Sequence, residues 1–419
     1  MAQRLLVLGA GPAQLGLLEA ARARGLYVVA ADMNETAPGF ALATVRALVS
    51  TEDEAAIEVL AREENVDGIV APGTDWPVAI AARVAARLSL PHPLSPASAA
   101  LAVSKVEQRA RLAAAGVPQP QHLLIQGDEE SAEALNGPGL FEALGRPLAG
   151  MVVKPADRQG QAGIALVRWP DELPAAIAAA LAASRGGVAL VESLVEGQEV
   201  TVNAFSCGGA FVPVLVSDRV TQAERAFGVA QAHAWPSRLP VEHVHAAART
   251  AEAAARALGI TEGPTYTQIV VDVEGRSHVV ELAARLGGGH DAELCAAAVG
   301  VDLAALAVKA ALGEPVAVEE AVPRALDGVG GAVTRFLEAQ EPGVLREVAG
   351  VAEAEAVDGV RRVRIYRAPG AQLRLLARGN DRHGAVLATG ADRAQAEQRA
   401  GRAAQAIRFL VSDGGPDPA

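Results

Sequence analysis

Apolar residues run almost unbroken through RLLVL (residues 4–8), give way to a glycine turn, and then recur at helical spacing through QLGLLEAARARG (14–25). A second unbroken run, YVVAA (27–31), follows and ends at Asp32. Short continuous apolar runs alternating with helical periodicity predict buried parallel strands joined by crossover helices. The alternation continues with a helix over 53–66, a short buried strand and loop over 67–73 and a helix over 75–91. Residues 1 to about 93 therefore predict a parallel, doubly wound α/β domain whose strand-end loops, including 72–76, lie on one edge. Asp75, just before a helix, reads either as a helix cap or as a substrate contact.

Beyond a Pro-rich boundary the pattern changes. A helix is expected over 98–115, carrying Lys105 and stopped by Gly116-Val117-Pro118. MVVK (151–154) predicts a strand bearing Lys154, followed by a loop with Gly160 and Gly163 and a strand over 164–167; such a loop can donate backbone N–H groups to phosphates. One strand ends at Glu192 and another runs over 199–205; either glutamate alone reads as a solvated turn carboxylate. A hairpin over 267–273 and 278–282, turning at Glu274-Gly275, leads through Arg285 and three consecutive glycines into a helix near Asp291. Charge beside glycine, where backbone can approach a ligand closely, suits a metal-phosphate site.

Residues 216–240, with Arg219, Arg225, His233 and Trp235, stand apart from the Ala-rich helices and read as a mobile cover over a pocket or as an ordinary connection. His290 reads as a substrate contact or as part of a capping cluster. An amphipathic helix over 301–315 holds Lys309 on a solvated face. From about 327, strands alternate with turns and finish in a long helix and a fraying tail.

Composition narrows the chemistry. The 419 residues carry a net charge of −12, which argues against binding nucleic acid along rows of phosphates. Two distant cysteines, Cys207 and Cys295, exclude a disulfide framework and a clustered thiol metal site, and fit a reducing, cytoplasmic setting. No apolar stretch is long enough to span a bilayer, which takes about 20 residues. Of 37 basic residues only three are lysines, Lys105, Lys154 and Lys309. A compact ammonium and a planar guanidinium are not interchangeable, so a lysine that resists such a drift toward Arg marks a candidate site.

The N-terminal turn has Gly9, Gly11 and Gly16, but Gln14 stands where a dinucleotide fingerprint needs its third glycine. Asp32 sits about where a ribose-binding acid would, which leaves an NAD-binding oxidoreductase as an alternative.

The series SKVEQR, VVKPADRQGQAGI, VESLVEGQEVTV and VVELAARLGGG, in this order and spacing, resembles the ATP-grasp superfamily of carboxylate-amine ligases, and the C-terminal part resembles ligases of the L-amino-acid (dipeptide) kind. The resemblance implies an α/β architecture. A Rossmann-like pre-ATP-grasp domain would occupy 1–95, and an α+β ATP-grasp domain 96–325 with its glycine-loop subdomain at 150–205. A small α+β C-terminal domain would follow at 326–412, with a tail at 413–419. It implies ATP and Mg²⁺ or Mn²⁺ as cofactors, small-molecule carboxylate and amine substrates, no nucleic acid or membrane partner, and a fold compatible with a homodimer. Lys105 and Lys154 would hold the phosphates under the loop of Gly160, Gln161 and Gly163. Glu192 and the backbone to Val195 would meet adenine, and Glu199 the ribose. Glu281 would bind the metal, Arg285 would steady the transferring phosphoryl group, and Arg219, Gly288 and His290 would face substrate.

Two positions depart from the family pattern: Gln268 replaces a second acidic ligand, and Ala283 replaces the Asn two residues after Glu281. Loss of these oxygen ligands should weaken at least one of two magnesium sites. The expected activity is activation of a carboxylate as an acyl phosphate and its transfer to an amine of an amino acid or small peptide. A non-catalytic ATP-binding protein with a degenerate metal site is the other alternative.

Overall fold

The computed structural model describes residues 2–127, 137–145, 149–158, 161, 163–221 and 226–412. The first sheet contains β1 (Arg4–Leu8), β2 (Tyr27–Ala31), β3 (Val45–Ala47) and β4 (Gly68–Val70), all parallel in the order β3-β2-β1-β4. Successive residues of β1 feed opposite cores: Leu6 and Leu8 join one apolar cluster, Leu5 and Val7 the other. That two-sided burial is why the strand reads as a continuous apolar run.

The antiparallel glycine-loop sheet contains β5 (His122–Gln126), β6 (Met151–Pro155), β7 (Ala165–Val167) and β8 (Val188–Ser193), in the order β5-β8-β6-β7. The helix Leu173–Ala183 covers one face of it through Leu173, Ile177 and Ala180.

The large sheet is antiparallel throughout. It contains β9 (Gly197–Cys207), β10 (Ala210–Thr221), β11 (Ala230–Trp235), β12 (Gly263–Asp272), β13 (Ser277–Ala283) and β14 (Gly331–Leu337). With β15 (Gly343–Ala349), β16 (Val360–Ile365), β17 (Gln372–Leu373), β18 (Gly384–Gly390) and β19 (Arg408–Ser412) named, its order is β13-β12-β9-β10-β11-β14-β18-β16. The C-terminal strands β14, β18 and β16 thus extend the sheet that holds Gln268 and Glu281 rather than forming a separate layer. Strands β17, β15 and β19 make a small sheet of their own, so the final helix, Arg393–Ala406, is followed by a strand that sequence pattern alone does not reveal.

Two expectations need correction. The helix expected over 98–115 is two helices, Pro96–Val103 and Lys105–Ala114, broken at Ser104 (φ −103°, ψ 110°). Ser104 caps the second by accepting from the Glu107 N–H at 3.3 Å. The Ser-x-x-Glu spacing is a helix-start signal, and its hydroxyl contributes about 1 kcal/mol. The described parts of 216–240 are not a mobile cover: 216–221 and 230–235 lie in β10 and β11, and Ser217, Asp218, Arg219 and His233 are buried. Arg225 lies outside the described residues.

Candidate active site

Cross-strand register assembles the site. Glu281 pairs with Gln268, Gln268 with Thr201, and Thr201 with Ser217, so these four side chains form one row across β13, β12, β9 and β10. A parallel row runs from Arg219 to His233 to Thr334 across β10, β11 and β14. Strand residues directly opposite one another share a face. This face of the sheet is therefore polar yet covered, with Thr201, Ser217 and Thr334 fully shielded from solvent.

Two cavities open on that face. One lies between the large sheet and the glycine-loop sheet, lined by Lys105, Lys154, Gln161, Glu192, Val195, Glu199 and, from the large sheet, Arg219, Gln268 and Glu281. The other, of about 580 Å³, lies under the N-terminal turn and is lined by Gln14, Asp75, Tyr266, Arg285, Gly288 and C-terminal residues including Phe336, Tyr366 and Arg382. Gln161, Arg219, Gln268 and Glu281 line both.

The helix break at Ser104 puts Lys105 at the first helical position, where its ammonium lies 2.9 Å from Glu281 Oε1 and donates to the Arg158 carbonyl at 2.7 Å. Burial disfavours its charge, but Glu281 and then Asp75 outweigh that, so its pKa is raised. For Glu281, burial pushes upward and is overcome chiefly by Lys105 and then Lys154, leaving the carboxyl below its ordinary value.

Lys154 and Arg109 share Glu192 as a nearly inaccessible triad: Lys154 Nζ is 2.7 Å from one carboxylate oxygen and Arg109 Nε 2.8 Å from the other. Burial raises the Glu192 pKa, but Lys154 first and Arg109 next bring it down to about 2. Burial is also the main influence that lowers the Lys154 pKa, partly offset by Glu192. Glu192 therefore lines the cavity between the two sheets with both carboxylate oxygens already engaged by cations. Arg109 was not among the residues singled out from sequence. Its position four residues after Lys105, on the same helical face, is the signal that marks it.

Arg219 NH1 lies 2.5 Å from Glu199 Oε2 and its other terminal nitrogen donates to the Gly228 carbonyl, which fixes the guanidinium between the two cavities. Arg285 is held by Asp75, with NH2 and Nε at 2.6 and 2.7 Å from the same carboxylate oxygen, and also donates to the Leu286 carbonyl. Asp75 makes no capping hydrogen bond from its side chain, so the cap reading gives way to an ion pair that reaches from the N-terminal domain into the site.

The triple-glycine loop is required by close packing. A Cβ on Gly287 would lie 2.1 Å from Asp291 Oδ2, and one on Gly288 3.1 Å from the Gly73 carbonyl oxygen. At Gly163 (φ +72°) a Cβ would lie 2.9 Å from both Ala183 and Pro155; Gly160 lies outside the described residues. His290 does not reach the cavity. It is buried, with Nδ1 3.0 Å from Glu293 and Nε2 against the Tyr366 hydroxyl, and it is Tyr366 that lines the cavity.

The N-terminal turn is filled from within. A Cβ on Gly9 would lie 2.8 Å from the Gln14 side chain, whose amide donates to the Pro72 carbonyl at 2.7 Å. Asp32 is occupied by the backbone N–H groups of Ala10 and Asn34, at 2.8 and 2.9 Å. The residue that replaces the fingerprint glycine thus packs against Gly9, and both Asp32 carboxylate oxygens are taken by backbone donors.

Residues 148–293 match the family model of the ATP-grasp domain. This segment is an ATP-grasp domain. Its C-terminal residues 335–412 match the L-amino acid ligase C-terminal domain 2. A D-alanine–D-alanine ligase of Gloeobacter violaceus is 30% identical over 204 residues, 46% of this chain and 63% of that protein. An uncharacterized protein of Sinorhizobium fredii is 28% identical over 359 residues, 84% of this chain and 70% of that one. The crystal structure of an L-amino acid ligase from Bacillus licheniformis superposes with a TM-score of 0.79 at 20% identity, covering 98% of this chain and 99% of that one. The domain match and these relatives support an ATP-dependent ligase that forms C–N bonds. Among its described residues no helix is long and apolar enough to cross a membrane.

Proposed function

We propose that this ligase activates the carboxylate of an amino acid or short peptide as an acyl phosphate and joins it to the amine of a second such molecule. The observation that carries the proposal is the shared wall. Glu281, Gln268 and Arg219 line both the cavity between the sheets and the cavity under Arg285, so a phosphoryl group held in one is presented to a carboxylate held in the other.

In this reading Lys105 and Lys154 neutralise the triphosphate, and Gln161 and the backbone around it lie over the phosphates. The pocket near Val195 takes the base, and Glu199 accepts from the ribose hydroxyls. A substrate carboxylate oxygen attacks the γ-phosphorus, the bond to the β–γ bridging oxygen breaks, and ADP departs. The amine then attacks the acyl carbon, inorganic phosphate leaves with the bonding electrons, and the nitrogen loses a proton. Such chemistry asks the protein mainly for positioning and charge neutralisation. Arg285, pinned by Asp75, supplies fixed donors where charge builds on the transferring group.

The donor set fits a divalent ion of a particular kind. No group of three or more His, Cys, Asp or Glu side chains able to hold a metal exists among the described residues, which leaves the carboxylate of Glu281 and the amide oxygen of Gln268 opposite it. Mg²⁺ commonly uses one or two carboxylates and completes its octahedron with waters and substrate phosphates. Glu281 and Gln268 would hold such an ion, which would supply positive charge to offset that of the phosphates. A panel of amino-acid pairs assayed for ADP, with product masses, tests the proposal: at least one pair should give ADP and a condensed product in equal amounts. ADP at background for every pair, while ATP still binds, would support a non-catalytic nucleotide-binding protein instead.

A further inference from the structure

The cavity under Arg285 is cationic in a chain that is strongly acidic overall. Arg219 and Arg285 are each neutralised by a carboxylate, Glu199 and Asp75. Three more guanidiniums, Arg367, Arg378 and Arg382, line the same cavity from the C-terminal region; among the described residues none is ion-paired with an acidic side chain, and Asp291 reaches Arg382 only as a weaker, longer-range attraction. Arg382 lies flat over Phe336, its Cζ 3.8 Å from the ring centroid, at the end of the polar face that runs through His233 and Thr334. Its Nε–H is buried with no hydrogen-bond acceptor, and so is that of Arg367, which donates from a terminal nitrogen to the Asn380 carbonyl at 2.6 Å. Burial, and next the proximity of Arg219, push the Arg382 pKa down to about 10.

A guanidinium taken out of water without a counter-charge is unfavourable, and buried donors are normally satisfied. Stacking on Phe336 fixes the plane of Arg382 but supplies no acceptor. The missing partner must be a group with at least two oxygens and negative charge, because a planar fork is completed by a carboxylate or a phosphate. The carboxylate to be activated belongs beside Arg285, Glu281 and Gln268, on the wall shared with the nucleotide cavity. Arg382 and Arg367 instead project from the C-terminal strands and their loops.

We propose that Arg382, with Arg367 beside it, binds a second anionic group on the substrate, so that the enzyme selects acidic amino acids, bearing a side-chain carboxylate or phosphate, over their neutral counterparts. This deepens the ligase reading, and rests on it for the identity of the ligand as a substrate. Arg382 acts as a specificity-determining contact: it reads charge remote from the reacting carbon, and a neutral isostere would leave its donors unpaired.

The test compares isosteres that share an α-carboxylate and differ only in the second group: L-glutamate with L-glutamine, and O-phospho-L-serine with L-serine. Binding is measured by calorimetry on the full chain with a non-hydrolysable ATP analogue, for wild type, Arg382→Met and Arg382→Lys. Wild type should bind at least one acid about tenfold or more tighter than its neutral isostere, the loss expected when charged hydrogen bonds go unmade. Arg382→Met, which keeps an apolar stem over Phe336, should erase the preference, and Arg382→Lys should retain part of it. The glutamate and phosphoserine arms distinguish a carboxylate site from a phosphate site. Equal binding of acids and isosteres by wild type, or a preference that survives in Arg382→Met, overturns the proposal. So does an equal loss for acidic and neutral ligands in Arg382→Met, which would assign the arginine to the α-carboxylate. ADP release is read separately: tight, Arg382-dependent binding of acids without ADP from any amine partner would sink the ligase reading and leave the anion site standing.

Discussion

Neutralising Glu192 should unmask how strongly the buried cation pair depends on one carboxylate. Glu192→Gln keeps the size and hydrogen-bonding shape of the side chain but leaves Lys154 and Arg109, now 2.7 and 2.8 Å from its carboxylate oxygens, without a counter-charge. A folded-state pKa of about 2, against an ordinary value of 4.5, corresponds to roughly 3 kcal/mol of stability from the ionised form. Because the folded value is depressed, that stability is fully present above about pH 4.5 and is lost as pH falls through that value toward about 2. Urea denaturation of wild type and Glu192→Gln from pH 7 to pH 3, followed by circular dichroism and Trp fluorescence, supplies the comparison. The variant should be roughly 3 kcal/mol less stable at pH 7, with the gap narrowing steadily below about pH 4.5, where the carboxyl takes up a proton in the unfolded chain while the folded one is still ionised. A gap under about 1 kcal/mol at pH 7, or one that does not change with pH, would refute the reasoning, since either would mean that the triad contributes no net charge stabilisation.

Three further outcomes follow from the same geometry. Asp75→Asn loosens Arg285 without touching the nucleotide cavity and should lower kcat by about 100-fold with little change in the KM for ATP, as steady-state kinetics would show. Gln268→Glu restores a second carboxylate opposite Glu281 and should lower the Mg²⁺ concentration at half-maximal activity by several-fold; an unchanged metal dependence would remove Gln268 from the metal site. Gly287→Ala places a methyl group 2.1 Å from Asp291 Oδ2 and should cost about 1–3 kcal/mol through forced displacement, measurable as a lowered Tm.

What the sequence disclosed depended on whether a residue's signal was local. The parallel N-terminal sheet was legible because β1 and β2 are buried on both faces, which leaves no polar alternation to confuse with a helix. Lys105 and Lys154 stood out by scarcity, and the hairpin that sets Gln268 opposite Glu281 followed from strand periodicity and a turn. The break before Lys105 was written in Ser104 and Glu107 but is outweighed by the helical run on either side of it. Asp75 and Arg285 are 210 residues apart, and Arg382 meets Phe336 only because the C-terminal strands extend the central sheet. No spacing rule reaches such pairs. They depend on register and domain packing, and for that reason the C-terminal arginines of the cavity carry no mark in the linear pattern. The segment at 216–240 misled for a related reason: its polar residues face inward on a covered sheet, where alternation is indistinguishable from that of a solvated strand.

The most direct test of the central claim follows oxygen. An amino acid that supports ADP formation, labelled with ¹⁸O in both carboxylate oxygens, is incubated with ATP, Mg²⁺ and an amine partner, and the released inorganic phosphate is analysed by mass spectrometry. Activation as an acyl phosphate in the cleft of Lys105, Lys154, Glu281 and Arg285 predicts one ¹⁸O in each phosphate formed with product. Phosphate released with product but carrying no label would show that the γ-phosphoryl group never joined the carboxylate, and would contradict the account.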